Sequence, residues 1–237
     1  MARLTGLWVY QELGRRPKPE TVAALASRHG LKWLTAQAIK EGEVLDADRL
    51  RAMRRATQEH GLRLGVHGYV GRPHPKPAAE ARAMAKAIDV ADADFAIVDA
   101  EDEYERAAGH PSHEFVAEYR RLKPGFRTFL SSFGRPQFHP GLDWATWAKA
   151  RFLGMPQAYE NLNAGALKPK QCVDDWARFF DRKDLRPTLG CFSEHGHSHL
   201  PISRLVESVH EVPDLPVNVY HHGTVTAAEL KALAKIT

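Results

Sequence analysis

The stretch DFAIVDAEDEYE at residues 94–105 joins an apolar run to five acids within seven positions. Its first part, residues 94–100, has the length and composition of a buried β-strand. Asp99 and Glu101 stand where this strand meets water. Because side chains two residues apart on a strand point to the same face, we expect the two carboxylates to project together from the strand's end.

The spacing of these acids allows two interpretations. Paired carboxylates behind a core strand are the groups that cleave glycosidic bonds. In the alternative, Asp99 caps a turn and the acids from Glu101 to Glu105 form a solvated loop. The choice between them depends on where the rest of the chain places this segment.

Short apolar runs alternate with helical patterns along the whole chain, which favours a (β/α)8 barrel of the TIM type in one domain, residues 1–237. A doubly wound sheet would need a glycine-rich first turn, whereas residues 11–16 read QELGRR. Barrel active sites form at the carboxyl ends of the strands, which gives the acids a location. The predicted strands are residues 4–10, 32–39, 62–70, 94–100, 126–133, 152–159, 186–192 and 216–222.

Helix signals lie between these strands. Thr226 and Glu229 have the spacing of a capping box. Ser112 is predicted to be the N-cap of a helix that follows the fourth strand. Gly30 and Gly61 stand where two helices should end.

Composition limits the classes of function. The chain has 237 residues, is 43% hydrophobic and carries a formal charge of +4, with basic residues scattered among acids. We therefore expect neither a nucleic-acid partner nor a membrane partner. Cys172 and Cys191 look like small buried residues rather than a disulfide pair. The first ten residues lack the features of a signal peptide, so cytoplasmic synthesis is expected.

The carboxyl ends of the predicted strands carry aromatic, amide and acidic side chains, which suit a sugar chain. In this hypothesis Glu101 protonates the leaving glycosidic oxygen, and Asp99 orients a substrate acetamido group that attacks the anomeric carbon. The residues expected to bind substrate are Tyr10, His67, Tyr69, Glu103, Ser132, Gln157, Tyr159, Glu194, Tyr220 and His222.

Histidines offer a further hypothesis, a metal-dependent hydrolase or isomerase. The loop SEHGHSH at residues 193–199 brings three of them together, and the ligands in this hypothesis would be His67, Glu101, His195 and His221. The first strand lacks the H-x-H of many metal-dependent barrels. The preferred interpretation has no metal and no cofactor.

Three motifs in the middle third of the chain resemble glycoside hydrolase family 25, the muramidases, and above all its divergent phage and prophage members. They are IVDAEDEYE (97–105), LSSFGRPQFHPGLDW (130–144) and MPQAYEN (155–161). The resemblance implies a barrel that cleaves peptidoglycan or a related N-acetylated polysaccharide. It implies that the general acid is Glu101, its partner Asp99, the cleft wall Gln157 and Tyr159, and the third-strand aromatic pair His67 and Tyr69.

The chain departs from the family pattern on two strands. Trp8 stands where the family has an Asp on the first strand, and the last strand reads VYHHG (219–223) without an Asp. The site would then work with Asp99 and Glu101 alone, with Glu12, Glu160 or Glu194 as a substitute acid, or with an altered linkage specificity. Alternatively, the barrel is an inactive glycan-binding or structural component of a virion. A phage origin would place the protein at the cell wall or on a virion; the oligomeric state stays open.

Overall fold

A computed structural model describes residues 4–10, 16–71, 74–162, 167–193 and 198–236 of the protein. Eight parallel strands form a closed barrel surrounded by helices, which confirms the predicted (β/α)8 fold. Every strand begins and ends within two residues of its predicted bounds. In chain order the barrel strands are Leu4–Val9, Trp33–Lys40, Arg63–Val70, Phe95–Ala100, Thr128–Phe133, Leu153–Ala158, Thr188–Gly190 and Val217–His222.

The barrel closes because the first strand pairs with both the second and the eighth. Leu7 aligns with Leu34 on one side and with Val219 on the other. All the other neighbours follow chain order. A two-residue strand, Glu43–Val44, pairs antiparallel with the end of the second strand. With no open edge, the carboxyl ends of all eight strands meet at one mouth.

Helices cover the outside of the barrel. No helix in the described ranges is long and apolar enough to cross a membrane. Among the described residues, two α-helices follow the fourth strand and one α-helix follows each of the other seven barrel strands. In chain order they are Pro19–Arg28, Ala47–Glu59, Pro77–Ala91, Asp102–Arg106, Pro111–Leu122, Trp144–Lys149, Pro169–Trp176, Ile202–His210 and Ala227–Leu233.

The structure confirms most of the predicted helix starts and ends and contradicts one of them. Thr226 and Glu229 form both bonds of the capping box. Gly30 and Gly61 adopt positive φ angles just after their helices, as glycine allows. The second helix after the fourth strand begins at Pro111, so Ser112 lies within it and is not its N-cap; the Ser112 hydroxyl donates to the carbonyl of Leu142, 2.7 Å away.

Aromatic rings fill the amino-terminal end of the barrel interior. Trp33 and Phe95 begin their strands and meet edge to face, with ring centroids 5.3 Å apart. Phe129 meets Phe95 in the same way at 5.9 Å. Above these rings Trp8 is fully buried, and its indole Nε1 donates to Oδ1 of Asn218 at 2.6 Å. This bond joins the first strand to the eighth.

Two glycines make room for these rings. A Cβ at Gly6 would lie 2.0 Å from the indole of Trp33, and one at Gly65 would lie 2.4 Å from the ring of Phe95. Real Cβ atoms do not come so close to another carbon, so the rings occupy space that any other residue would fill. Glycine at these positions is therefore part of the interior packing.

We expect Gly65→Ala to lower the free energy of unfolding by about 1–3 kcal/mol, because the added methyl group overpacks the interior against Phe95. This cost exceeds the roughly 0.4–1 kcal/mol that an alanine gains by restricting the unfolded chain. Urea unfolding measures the change. In a Phe95→Leu background, which lacks the ring atoms that clash, the same substitution should cost less; an equal cost in both backgrounds would contradict the packing argument.

Candidate active site

The carboxylates of Asp99 and Glu101 converge on one side-chain amide. Nε2 of Gln157, on the sixth strand, donates to Oδ1 of Asp99 at 2.9 Å and to Oε1 of Glu101 at 2.5 Å. The hydroxyl of Ser131 lies 3.3 Å from the same nitrogen. Asp99 and Gln157 are buried, whereas Glu101 is half-buried at the end of its strand. The two acids therefore face one point at the barrel mouth, as their spacing predicts.

Tyr69 lies next to this pair. It aligns with Asp99 across the third and fourth strands, and its hydroxyl donates to Oε2 of Glu103 at 2.6 Å. Burial, followed by the charge of Glu101, raises the pKa of Tyr69 above its ordinary value of 10. The phenol consequently stays protonated and remains a hydrogen-bond donor among the acids.

A second tyrosine, Tyr159, lies on the opposite wall. Burial raises the pKa of Tyr159 well above 10, and Tyr220 and Asp99 add to the shift. Its ring packs edge to face on Phe192 at 5.2 Å and lies 5.7 Å from the ring of Tyr220. This wall combines flat apolar rings with a neutral phenol, a surface that can hold the face and hydroxyl groups of a sugar.

His67 lies one layer deeper than the acids, because it aligns with Ile97 while Tyr69 aligns with Asp99. It packs against the ring of Trp8 at 4.8 Å and that of Tyr10 at 5.9 Å. Neither of its ring nitrogens has a hydrogen-bond partner among the described residues. Burial, with a smaller effect of His221, lowers the pKa of His67 to about 3. His67 is therefore a neutral aromatic in the floor of the site.

A cleft of about 380 Å³ opens beside Glu101, between the loops that follow the fifth and sixth strands. Phe138 stands on its rim and is 66% exposed, with the guanidinium of Arg135 packed over its ring at 5.3 Å. The acidic, amide and aromatic side chains that line the cleft include Glu101, Phe133, Phe138, His139, Gln157 and Tyr159.

The acidic run after Glu101 is an ordered helix rather than a solvated loop. Tyr104 is buried, and its hydroxyl donates to Oε2 of the buried Glu80 at 2.6 Å. The other carboxylate oxygen of Glu80 accepts from the backbone of Gly71 at 2.7 Å. Asp102 pairs with Arg106 at 2.7 Å. This anchoring fixes the backbone from which Glu101 extends.

A cluster of possible metal ligands exists, but it differs from the predicted one. Within the described ranges, the groups with suitable spacing are Asp102, Glu105 and His139. Nδ1 of His139 lies 2.8 Å from Glu105, and its ring stacks on Phe133 at 3.5 Å. These two contacts explain the position of the His139 ring without a metal ion. His195, of the predicted metal set, lies outside the described residues.

Ser132, which was predicted to bind substrate, does not face the two acids. It points away from the site, where its buried hydroxyl donates to the carbonyl of Ala100 at 2.5 Å. Ser131, one position earlier, contacts Gln157 instead. Adjacent residues on a strand point to opposite faces, so Ser131 and not Ser132 faces Gln157.

The remaining predicted residues divide into three groups. Tyr10, Tyr220 and His221 form a ring cluster near His67, with Tyr10 lying 6.0 Å from Tyr220 and 5.9 Å from His221. The backbone carbonyl of His222 lies 2.6 Å from Nδ1 of His221. Glu12 and Glu194 lie outside the described residues.

Glu160, proposed from the sequence as a substitute acid, is paired with Arg204. Both of its oxygens lie 2.8 Å from the guanidinium of Arg204, and the hydroxyl of Ser208 donates to it at 3.1 Å. These hydrogen bonds raise the pKa of Arg204 above its ordinary value. A buried carboxylate with a bidentate arginine is a structural pair.

Two residues that line the cleft were not predicted from the sequence. Phe138 and His139 both fall within residues 130–144, which entered the prediction only as a motif. The aromatic content of this loop was the available signal. Phe192, which packs on Tyr159, follows the end of the seventh strand.

The chain matches no family model and no curated protein sequence. It shares its fold with solved barrels at low identity. The spore cortex-lytic enzyme SleL of Bacillus cereus has a TM-score of 0.70 at 8% identity, over 100% of this chain and 76% of that one.

Two further solved structures are also similar. Active domain 2 of a thermostable chitinase from Pyrococcus furiosus, a catalytic-site mutant with chito-oligosaccharides, has a TM-score of 0.71 at 13% identity, over 99% and 93% of the chains. The glycoside hydrolase domain of PgaB from Bordetella bronchiseptica has a TM-score of 0.69 at 11% identity, over 99% and 98%. At these identities the likeness establishes the fold.

We expect the stability of the protein to fall as the pH drops from about 6.5 towards 3, in part because of His67. Above pH 6.5 His67 is neutral in both states and contributes no pH dependence. Below it the unfolded chain takes up a proton at this position while the folded chain does not, which favours unfolding. His67→Phe, which keeps a ring against Trp8, should flatten this decline in urea unfolding between pH 7 and pH 4.5.

The exposed His210 provides the control for this experiment. His210→Gln likewise removes one imidazole, but from the outer surface of the helix Ile202–His210, and the comparison separates burial at position 67 from the loss of any histidine. An equal slope in wild-type protein and His67→Phe would contradict the assignment of a buried neutral imidazole.

Proposed function

We propose that the protein is a glycoside hydrolase that acts on peptidoglycan or a related N-acetylated polysaccharide. The observation that carries this proposal is the convergence of Asp99 and Glu101 on the amide of Gln157, at the carboxyl end of the barrel and beside an aromatic cleft. Barrel enzymes carry their active sites at this end. Because one fold hosts many chemistries, the site and not the fold is the basis of the proposal.

Glu101 is the proposed general acid. It is half-buried and borders the cleft, so its carboxyl group can reach the glycosidic oxygen of a bound chain. Its backbone is held by the anchored helix Asp102–Arg106. A general acid must lie within hydrogen-bond distance of the oxygen that it protonates, and a fixed backbone maintains that geometry.

Asp99 is the proposed partner, and it remains within the barrel mouth. It is buried and accepts a hydrogen bond from Gln157, which orients the carboxylate. In the proposed reaction the acetamido oxygen of the substrate attacks the anomeric carbon, and Asp99 holds the amide and stabilises its developing positive charge. The leaving alcohol takes the proton of Glu101, and water then opens the cyclic intermediate, with Glu101 accepting a proton from it.

The walls of the site suit this substrate class. Neutral phenols at Tyr69 and Tyr159 lie near the two acids. The exposed ring of Phe138 stands at the rim of the cleft. Ring faces pack on the apolar face of a sugar, while the phenols can donate to its hydroxyl and acetamido oxygens.

Membership of family 25 and a phage origin belong to the same proposal. Their support is the resemblance of residues 97–105, 130–144 and 155–161 to that family. Under this hypothesis the protein acts on the bacterial cell wall, either during lysis or as part of a virion.

A glycan-binding barrel without hydrolytic activity is the second candidate function. Two observations favour it: Trp8 is buried where the resemblance expects an acid, and Glu160 is occupied by Arg204. Of the three substitute acids, Glu160 is thus paired, and Glu12 and Glu194 lie outside the described residues. Wild-type protein that binds cell walls without releasing reducing ends would support this second function and reject the first.

We expect Glu101→Gln to reduce hydrolysis by about 10²–10⁴-fold, the usual contribution of a general acid, because the amide cannot donate an acidic proton. The assays are turbidity loss of purified cell walls and release of reducing ends from chito-oligosaccharides. Glutamine is isosteric, so the melting temperature should change little.

The control for this variant is Glu114→Gln, which removes an exposed acid on the helix Pro111–Leu122, away from the cleft. It should retain full activity. If Glu101→Gln hydrolyses the substrate as fast as wild-type protein, Glu101 is not the general acid.

We expect Phe138→Ala to weaken the binding of chito-oligosaccharides, raising KM by about three- to tenfold with a smaller effect on kcat, because the lost ring area contributes about 1 kcal/mol. Phe179→Ala is the matched control, since Phe179 is also exposed, at 40%, but packs near Trp144 rather than at the cleft. Equal effects of the two variants on KM would exclude Phe138 as a sugar platform.

A further inference from the structure

A second cavity lies at the amino-terminal end of the barrel, opposite the acids. Its volume is about 290 Å³. Trp33, Phe95 and Phe129, the rings that fill this end of the interior, form its apolar wall. Arginine side chains from three separate strand entrances line it as well. They are Arg63, Arg127 and Arg186.

Two acids lie near these arginines in the described part of the chain: the charge of Asp184 acts on Arg186, and Asp94 lines the cavity. None of the three arginines forms a salt bridge with an acid there. The Oδ2 atom of Asp94 already accepts from Arg54 at 2.7 Å and from the backbone of Leu64 at 2.8 Å. Arg54 also pairs with Asp92 at 3.0 Å, so the cavity is lined by three arginines and by one acid that shares its cation with another acid.

Two of the guanidinium groups are held in position. Nη1 of Arg186 donates to the carbonyls of Lys183 at 2.7 Å and Leu185 at 2.6 Å. The guanidinium of Arg127 lies over the ring of Phe129, 5.5 Å from its centroid. Burial, and then the charge of Arg127, lowers the pKa of Arg186, while the charge of Asp184 raises it. An anion between Arg127 and Arg186 would relieve their repulsion.

We propose that this cavity binds a small aromatic anion, with its ring against Trp33, Phe95 and Phe129 and its anionic group among Arg63, Arg127 and Arg186. Guanidinium groups suit carboxylate and phosphate oxygens because they present several donors in one plane. The volume is at the lower end of small-molecule pockets, roughly 300–1,000 Å³, and so suits a ligand with one ring. The proposal does not depend on the hydrolytic activity at the other end of the barrel.

The experiment is a calorimetric titration of the full chain with phenyl phosphate. Phenol lacks the charge and inorganic phosphate lacks the ring, so both should bind at least about tenfold more weakly than phenyl phosphate. Arg127→Gln and Arg186→Gln should each weaken phenyl phosphate binding by about tenfold. Arg55→Gln, which removes an exposed arginine from the helix Ala47–Glu59, should have no effect.

Arg127 is exposed, so its variant tests the site even if Arg186→Gln does not fold. Binding of inorganic phosphate as tight as that of phenyl phosphate would reject the aromatic wall. Absence of phenyl phosphate binding at millimolar concentration, or binding that Arg127→Gln leaves unchanged, would overturn the proposal.

Discussion

Closure of the barrel between its first and eighth strands is the constraint on which the remaining structure depends. Leu7 on the first strand aligns with Val219 on the eighth. In the barrel interior, the indole of Trp8 donates a hydrogen bond to Asn218 and links the same two strands. Closure leaves no strand edge unpaired and brings all eight carboxyl ends to one mouth. Asp99 and Gln157, 58 positions apart in sequence, meet there for this reason.

The two ends of the barrel then differ in charge. Asp99 and Glu101 share the amide of Gln157 at the carboxyl end, where neighbouring phenols stay protonated. The shared amide nitrogen gives each of the two acids a hydrogen bond at the same point. At the amino-terminal end, Arg127 and Arg186 face a cavity lined by aromatic rings. The aromatic layers between the two ends separate the acids from the arginines.

The predicted strand bounds were accurate because each strand is a short apolar run between polar segments, and burial on both faces requires such a run. Helix starts were less predictable. Pro111 begins its helix, while the hydroxyl of Ser112 goes to Leu142, a residue 30 positions later. A hydroxyl selects its partner from whatever the fold brings near, and local sequence does not contain that information.

By itself, the sequence determined the eight strand–helix repeats and the common direction of Asp99 and Glu101, since both follow from local periodicity. Only the tertiary structure decided which polar groups serve the site. Gln157 bridges the two acids, Glu160 is paired with Arg204, and Ser131 rather than Ser132 faces inward. The physical reason is that hydrogen bonds between distant strands depend on barrel closure and register, which no single segment specifies.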